Sequence, residues 1–378
     1  MRIATVAPAY PYRGGIAHFG ARLAQELNHD HQQLYLNYTR LYPNLLFPGK
    51  TQYDESSAPV NFNSERILDS INPLSWRRTA NRIAEWQADV AIFHWWHPFF
   101  APAVRATTNK LPRKITKLTI CHNVAPHDGG TVRKQLVKYA LSGMDGLIIH
   151  STSEKSELKA LLPNIPYRSL FHPIYDIFPG EEITKENARS ALGIPQDTRM
   201  VLFFGLIRPY KGVETLVQAA KQLAGVEKLA IYIVGEVYSD GEQLRRDIAS
   251  VPGGIVTLVD RYLPNEEVGA WFRAADLIAL PYLTATQSGI VPLAYRYERP
   301  VVVTNVGGLP DVVMEGKSGY LVPPANPVKL ANAIQRHFIE LRNPSLIDGI
   351  RFMQNELSWK TYSSRLVEFA TELQAGKV

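Results

Sequence analysis

Runs of apolar residues alternate with amphipathic stretches along most of the chain, and the two kinds of stretch predict different elements. Residues 3–8, 34–38, 90–95, 118–121 and 147–150 are almost continuously apolar and bounded by polar turns. Strands buried on both faces of a parallel sheet read this way. Residues 17–27 and 132–141 carry the helical period between them. Residues 41–74 are polar, rich in Pro, Asn and Ser, and without a period, which predicts a long excursion of the kind that is often functional. The pattern breaks near residues 172–200, where His172-Pro173, Pro179-Gly180, an acidic helical stretch and Gly193-Ile194-Pro195 predict an interdomain linker. It restarts with strands at 200–204, 229–234, 255–259, 277–281 and 301–304, alternating with helices at 213–223, 266–274, 291–297 and 328–341. Two successive strand-helix series predict an α/β chain of two Rossmann-like, doubly wound domains facing each other across a cleft. Ligands then belong at the carboxyl ends of the strands.

The size fits this reading, since 378 residues with 46% hydrophobic content supply two cores of ordinary proportions. No run reaches the roughly 18 apolar residues that span a bilayer. Residues 1–10 lack the features of a signal peptide and read as a first strand, so a cytoplasmic location is expected. A single cysteine, Cys121, excludes an internal disulfide framework and fits a reducing compartment. Up to Asp176 there are 20 Lys and Arg against 13 Asp and Glu, whereas the remainder is near neutral. A basic half suits an anionic membrane surface, with Arg77, Arg78, Arg113, Lys114 and Lys117 as its candidates, or a phosphate-bearing acceptor; plain solubility explains it equally well. Nucleic acid is disfavoured, because there is no basic helix or aromatic-basic repeat.

The junctions carry the chemistry. Phe204-Gly205-Leu206-Ile207-Arg208-Pro209-Tyr210-Lys211-Gly212 follows a predicted strand and opens a predicted helix. A helix N-terminus attracts phosphate, and Arg208 and Lys211 add two cations where a departing diphosphate needs neutralising. The competing reading is a surface Arg and Lys beside a tight turn, but cations at that end oppose the helix dipole. A second junction runs from Tyr282 to Val291. Around Gly289 its small residues let backbone N–H groups approach a phosphate. Thr286, Gln287 and Ser288 offer polar contacts to sugar or phosphate oxygens, although Ser288 as a plain helix cap accounts for part of this. Gly307-Gly308 marks a third close approach.

In the first half, Gly14-Gly15 lie between the first strand and helix without the Gly-x-Gly-x-x-Gly fingerprint, which counts against a nicotinamide dehydrogenase. His122 ends a strand, with His127 close behind, and the spacing of histidines and carboxylates fits no metal motif. A polar contact from His122 to a bound sugar is the more economical reading. His94, Trp95 and Trp96 end another strand; such aromatics are either core or the lining of an acceptor pocket.

Together these segments resemble the retaining GT-B glycosyltransferases of family 4 (glycosyl transferases group 1). The resemblance covers nearly the whole chain. It is strongest over residues 201–324, where Arg208 and Lys211, the Gly289 loop, Val306-Gly307-Gly308-Leu309-Pro310 and Leu321-Val322-Pro323-Pro324 occur in order. It implies an acceptor domain at 1–180, a donor domain at 195–355 and a terminal helix within 356–378 that crosses back to the first domain. It also implies metal-independent transfer of a sugar, with retention, from a nucleotide diphosphate sugar as co-substrate to a glycan, lipid-linked or other hydroxyl acceptor, as in cell-surface polysaccharide or glycoconjugate synthesis. Arg208 and Lys211 would hold the diphosphate, with Gly14, Gly15 and the loop through Gly289, Ile290 and Val291 as backbone contacts and His122 near the donor sugar. His94, Trp95, Trp96 and His127 would face the acceptor.

One motif departs from the family. The acids of its Glu-x7-Glu pattern fall on Ala285 and Leu293, or one residue later on Thr286 and Ala294. Gln287 and Ser288 are the candidates to take over the sugar contacts. A non-catalytic sugar-nucleotide-binding protein and a GT-B-type epimerase are the alternatives, the latter expected to carry several carboxylates in its cleft.

Overall fold

A computed structural model describes residues 1–43, 52–54, 62–124, 130–176, 182–238, 241–339 and 344–377. Its contacts divide the chain into two units, Met1–Phe171 with Trp359–Val378, and His172–Ser358. The first unit contains β1 (Arg2–Val6), β2 (Gln32–Arg40), β3 (Glu65–Asp69), β4 (Val90–Trp95), β5 (Thr116–Cys121), β6 (Gly146–Ile149) and β7 (Tyr167–Ser169). These form one parallel sheet in the order 3-2-1-4-5-6-7. The order reverses between β1 and β4, so the loops after these strands diverge and leave a crevice at their carboxyl ends.

The helices of this unit are α1 (Gly15–Leu27), α2 (Pro73–Glu85), α3 (Ala101–Thr108), α4 (Thr131–Leu141) and α5 (Lys155–Leu161). The five strands and two helices read from the sequence are present here, and β3, β7, α2, α3 and α5 are added to them. In β3 only Leu68 is buried, and β7 is three half-buried residues, so neither edge strand shows the apolar run by which the central strands are recognised. Helix α2 starts where the polar excursion ends. Asn72 caps it by accepting the Leu74 N–H, and Pro73 fits the first turn because no N–H is needed there.

The second unit contains α6 (Lys185–Leu192), β8 (Arg199–Phe204), α7 (Val213–Leu223), β9 (Leu229–Val234), α8 (Gly241–Ala249), β10 (Val256–Val259) and α9 (Asn265–Ala274). It continues with β11 (Leu277–Leu280), α10 (Ile290–Arg296), β12 (Val301–Thr304), β13 (Gly319–Val322), α11 (Pro327–Ile339) and α12 (Pro344–Glu356). Its sheet is parallel, in the order 10-9-8-11-12-13, with the reversal between β8 and β11. Strands β11 and β12 are buried at every residue, as the continuous apolar runs require.

Helix α13 (Trp359–Gln374) returns to the first unit and completes its core. Trp359, Tyr362, Leu366 and Phe369 pack with Phe19, Leu23 and Leu27 of α1. Each buried side chain of this size contributes on the order of 2 kcal/mol relative to exposure. Arg168 donates to Glu372 at 2.6 Å and to Glu368 at 3.3 Å, fixing the helix end against β7. Among the described residues no helix is long and apolar enough to cross a membrane.

Candidate functional site

In the second unit the two most informative junctions follow β8 and β11, the pair at which the sheet order reverses. Arg208 is extended, Pro209–Lys211 make one 3-10 turn, and Gly212 takes a left-handed conformation at φ 61° before α7 begins. The cations therefore stand in the turn ahead of the helix. The turn is tied to the loop after β11: Leu283 N–H donates to the Tyr210 carbonyl at 2.8 Å. A Cβ on Gly212 would run into the Pro281 carbonyl oxygen, so glycine is needed both for the backbone angle and for the closeness of the two turns.

Lys211 is half-buried. Its Nζ lies beside Gly205, 3.2 Å from where a Cβ would stand, and 5.4 Å from the centre of the Tyr282 ring. Burial and then the neighbouring Arg208 guanidinium push its pKa down to about 8. Arg208 is exposed and packs its guanidinium 5.3 Å from the Tyr238 ring centre. A partly desolvated ammonium and a second cation three residues away form a site that gains from an anion with two negative groups.

The 284–291 loop is held from behind by the glycine pair after β12. Gly307 has φ 53°, and a Cβ there would overlap the Ala285 carbonyl, while Gly308 N–H donates to the Thr286 carbonyl at 2.9 Å. Ser288 Oγ accepts the Ile290 N–H at 3.2 Å from one residue ahead of the N-cap, which the structure places at Gly289 and not at Ser288. Thr286, Gln287, Ser288, Gly289 and Ile290 are partly exposed, whereas the Val291 side chain is fully buried and offers only backbone. Tyr175 covers Gly289, where a Cβ would meet its ring at 2.8 Å. At the departed acidic motif, Leu293 and Ala294 are core residues in α10.

Beside Gly205 opens a cavity of about 180 Å³, lined among others by Phe204, Gly235, Glu236, Arg261 and Leu263. The sequence reading singles out none of the last four. The available signal was the apolar run of β9 ending in Gly235-Glu236, a strand end like the ones that were recognised. The Gly235 φ of 150° and the blocking Gly205 carbonyl explain the glycine.

In the first unit, Arg13, Gly14 and Gly15 line a cavity of about 210 Å³ with Leu41, Tyr42, Gln52 and Trp96. It lies at the reversal between β1 and β4. Gly14 needs its φ of 108°, and Gln52 holds the opposite wall by bonding both the N–H and the carbonyl of Tyr42. Trp96 Nε1 donates to the Tyr42 hydroxyl at 2.9 Å. The structure thus brings Trp96 together with the glycine loop. It corrects the grouping of Trp95 with Trp96: Trp95 is 1% exposed, in the core, and donates to the Val124 carbonyl. Trp95 is the last residue of β4, whereas Trp96 follows the strand and is only partly buried against the same apolar cluster. His94 is equally buried and reaches His122, with Nδ1 and Nε2 3.0 Å apart. His127 lies outside the described residues. The backbone after His122 is fixed by Glu154, which accepts the Val124 N–H at 2.9 Å and whose carboxyl burial pushes up to about 7. Lys117, expected on a basic surface, is largely covered and paired with Asp145 at 3.3 Å, while Arg77, Arg78, Arg113 and Lys114 are exposed. Among the described residues no group of three or more His, Cys, Asp or Glu is placed to hold a metal ion.

The chain is similar to known proteins in sequence and in fold. Residues 198–338 match the family Glycosyl transferases group 1. A D-inositol 3-phosphate glycosyltransferase of Catenulispora acidiphila is 29% identical over 263 residues, 65% of this chain and 63% of that protein. The chain therefore spans less than two thirds of this relative's length. Among solved structures, sucrose-phosphate synthase of Thermosynechococcus elongatus superimposes with a TM-score of 0.68 over 99% of both chains at 19% identity. HepE of Anabaena, solved in complex with UDP, gives 0.69 over 98% of this chain and 100% of its own at 16% identity. These likenesses agree with two parallel-sheet α/β domains of the GT-B fold. Arg208, Lys211 and the loop to Val291 all lie inside the region, residues 198–338, that matches the group 1 glycosyl transferases.

Proposed function

We propose that this protein is a metal-independent, retaining hexosyltransferase that moves a sugar from a nucleotide diphosphate sugar to a hydroxyl acceptor. The observation that carries the proposal is the half-buried Lys211 beside Gly205, joined by Arg208 at the carboxyl end of β8, in a turn whose Tyr210 carbonyl accepts the Leu283 N–H of the loop after β11. Two cations at that point neutralise a diphosphate in the ground state and more so as charge builds on it during departure. The family match of residues 198–338 and the UDP bound to the similarly folded HepE support a nucleotide-sugar donor. With no carboxylate pair at the departed motif, the leaving phosphate is assigned the acceptor proton, and attack comes from the face it leaves.

In the free protein the Lys211 pKa of about 8 means that the ammonium is progressively lost above that pH. A bound diphosphate favours the charged form, so binding takes up a proton there. Affinity for a nucleoside diphosphate is thus expected to be flat below about pH 8 and to fall by up to tenfold per pH unit above it. Calorimetric titration across this range tests the assignment, and a flat profile removes Lys211 from the phosphate contacts.

The acceptor is a glycan, lipid-linked or other hydroxyl compound of cell-surface polysaccharide or glycoconjugate synthesis, and the enzyme works in the cytoplasm at the inner membrane face. The exposed Arg77, Arg78, Arg113 and Lys114 support the last point. Co-sedimentation with anionic vesicles is expected at low salt and should vanish as salt is raised; absence of binding at low salt defeats it. The burial of Leu293 and Ala294 favours one second reading, a protein that binds sugar nucleotides without turnover.

A further inference from the structure

Three histidines stand at the carboxyl ends of neighbouring strands of the first unit. His94 is within β4, and His122 and His150 follow β5 and β6. Phe19 of α1 sits among them, with ring centroids 5.8, 5.0 and 5.4 Å away, mostly edge to face. The His94 and His122 rings are joined by a hydrogen bond between Nδ1 of the first and Nε2 of the second, 3.0 Å long.

His94 is 1% exposed, and its Nε2 has no hydrogen-bond partner among the described residues. Burial pushes its pKa down to about 3, so its ring is neutral near pH 7. A neutral imidazole has one N–H and one bare nitrogen, and the bond between the two rings contains a single proton. Were that proton on His122 Nε2, His94 would accept at Nδ1 and hold its own proton on Nε2, a buried N–H without an acceptor. With the proton on His94 Nδ1, the orphan is a bare nitrogen. Buried N–H groups left without partners are the rarer kind of defect.

We propose that His94 is a positioning residue that donates from Nδ1 to His122 Nε2 and thereby keeps the proton of neutral His122 on Nδ1. His122 is then held as a hydrogen-bond donor at Nδ1 with its ring angle fixed. The functional meaning rests on the reading of His122 as the histidine beside the donor sugar; the hydrogen bond itself does not.

Long-range proton–nitrogen correlation spectra of ligand-free, histidine-labelled protein read the tautomers directly. Both His94 and His122 are expected as Nδ1–H in the wild type. In His94→Leu the His122 signals should move toward the tautomer mixture of free imidazole. In His94→Asn, whose side-chain amide restores a donor near the Nδ1 position, the Nδ1–H form should return. An Nε2–H tautomer for His122 in the wild type overturns the proposal even if neither variant folds. An unchanged His122 spectrum in folded His94→Leu overturns it as well. Wild-type release of nucleoside diphosphate by His122→Ala would remove the sugar reading instead, with the tautomers as predicted.

Discussion

Lys211→Ala is expected to lower turnover by roughly 10²-fold or more, the size of effect seen when one electrostatic contact to a developing charge is removed. The reason is its placement. Nζ lies against Gly205 in a partly desolvated turn, close enough to Arg208 for the guanidinium to depress its pKa. The protein holds this charge there at a cost, and an anionic leaving group recovers it. Because Lys211 faces the diphosphate in the ground state and more strongly as charge grows on it, the loss should appear in both KM and kcat. Arg208→Ala should be milder, since Arg208 is exposed and its charge is better screened. Wild-type turnover in Lys211→Ala would remove the phosphate-clamp assignment.

The second large effect is structural. Gly307→Ala is expected to destabilise the protein by roughly 3 kcal/mol or more, measured by denaturant unfolding, and to abolish donor binding. At Gly307 the backbone is left-handed, and the new methyl group would overlap the Ala285 carbonyl that begins the 284–291 loop. The loop must shift, which breaks the bond from Gly308 N–H to the Thr286 carbonyl. Gly316→Ala is the control. Its φ is 70°, similarly left-handed, but a Cβ meets nothing within 4 Å. It should cost only the conformational strain, about 1–2 kcal/mol, and leave binding intact. Equal losses at the two glycines would contradict the view that close packing behind the loop shapes the site.

Much of the architecture was legible because parallel sheets are covered on both faces, so central strands such as Val90–Trp95 and Val301–Thr304 are continuous apolar runs. The edge strands β3 and β7 were not, because their sparse burial leaves no such signature. For the same reason α2, with a polar composition around the few buried residues Ser75, Thr79, Ala80 and Ile83, was not read as a helix. At the site, Arg208, Lys211 and the Gly289 loop could be found from strand ends and charge, and the fold places them at one sheet reversal. What the sequence could not convey is facing. Trp95 and Trp96 are adjacent and chemically identical, yet one is core and the other lines a cavity. Nor could spacing reveal that His94 touches His122, 28 residues away, since that contact depends on the register of β4 against β5.

The most direct test of the donor site is thermal stability against UDP-, GDP-, ADP- and TDP-sugars in turn. A ligand at 100 times its Kd should stabilise the protein by roughly 2.7 kcal/mol. The expected result is a shift with one nucleotide series, diminished in Arg208→Ala and lost in Lys211→Ala. No shift with any nucleotide sugar, in protein verified to be folded, would contradict the account.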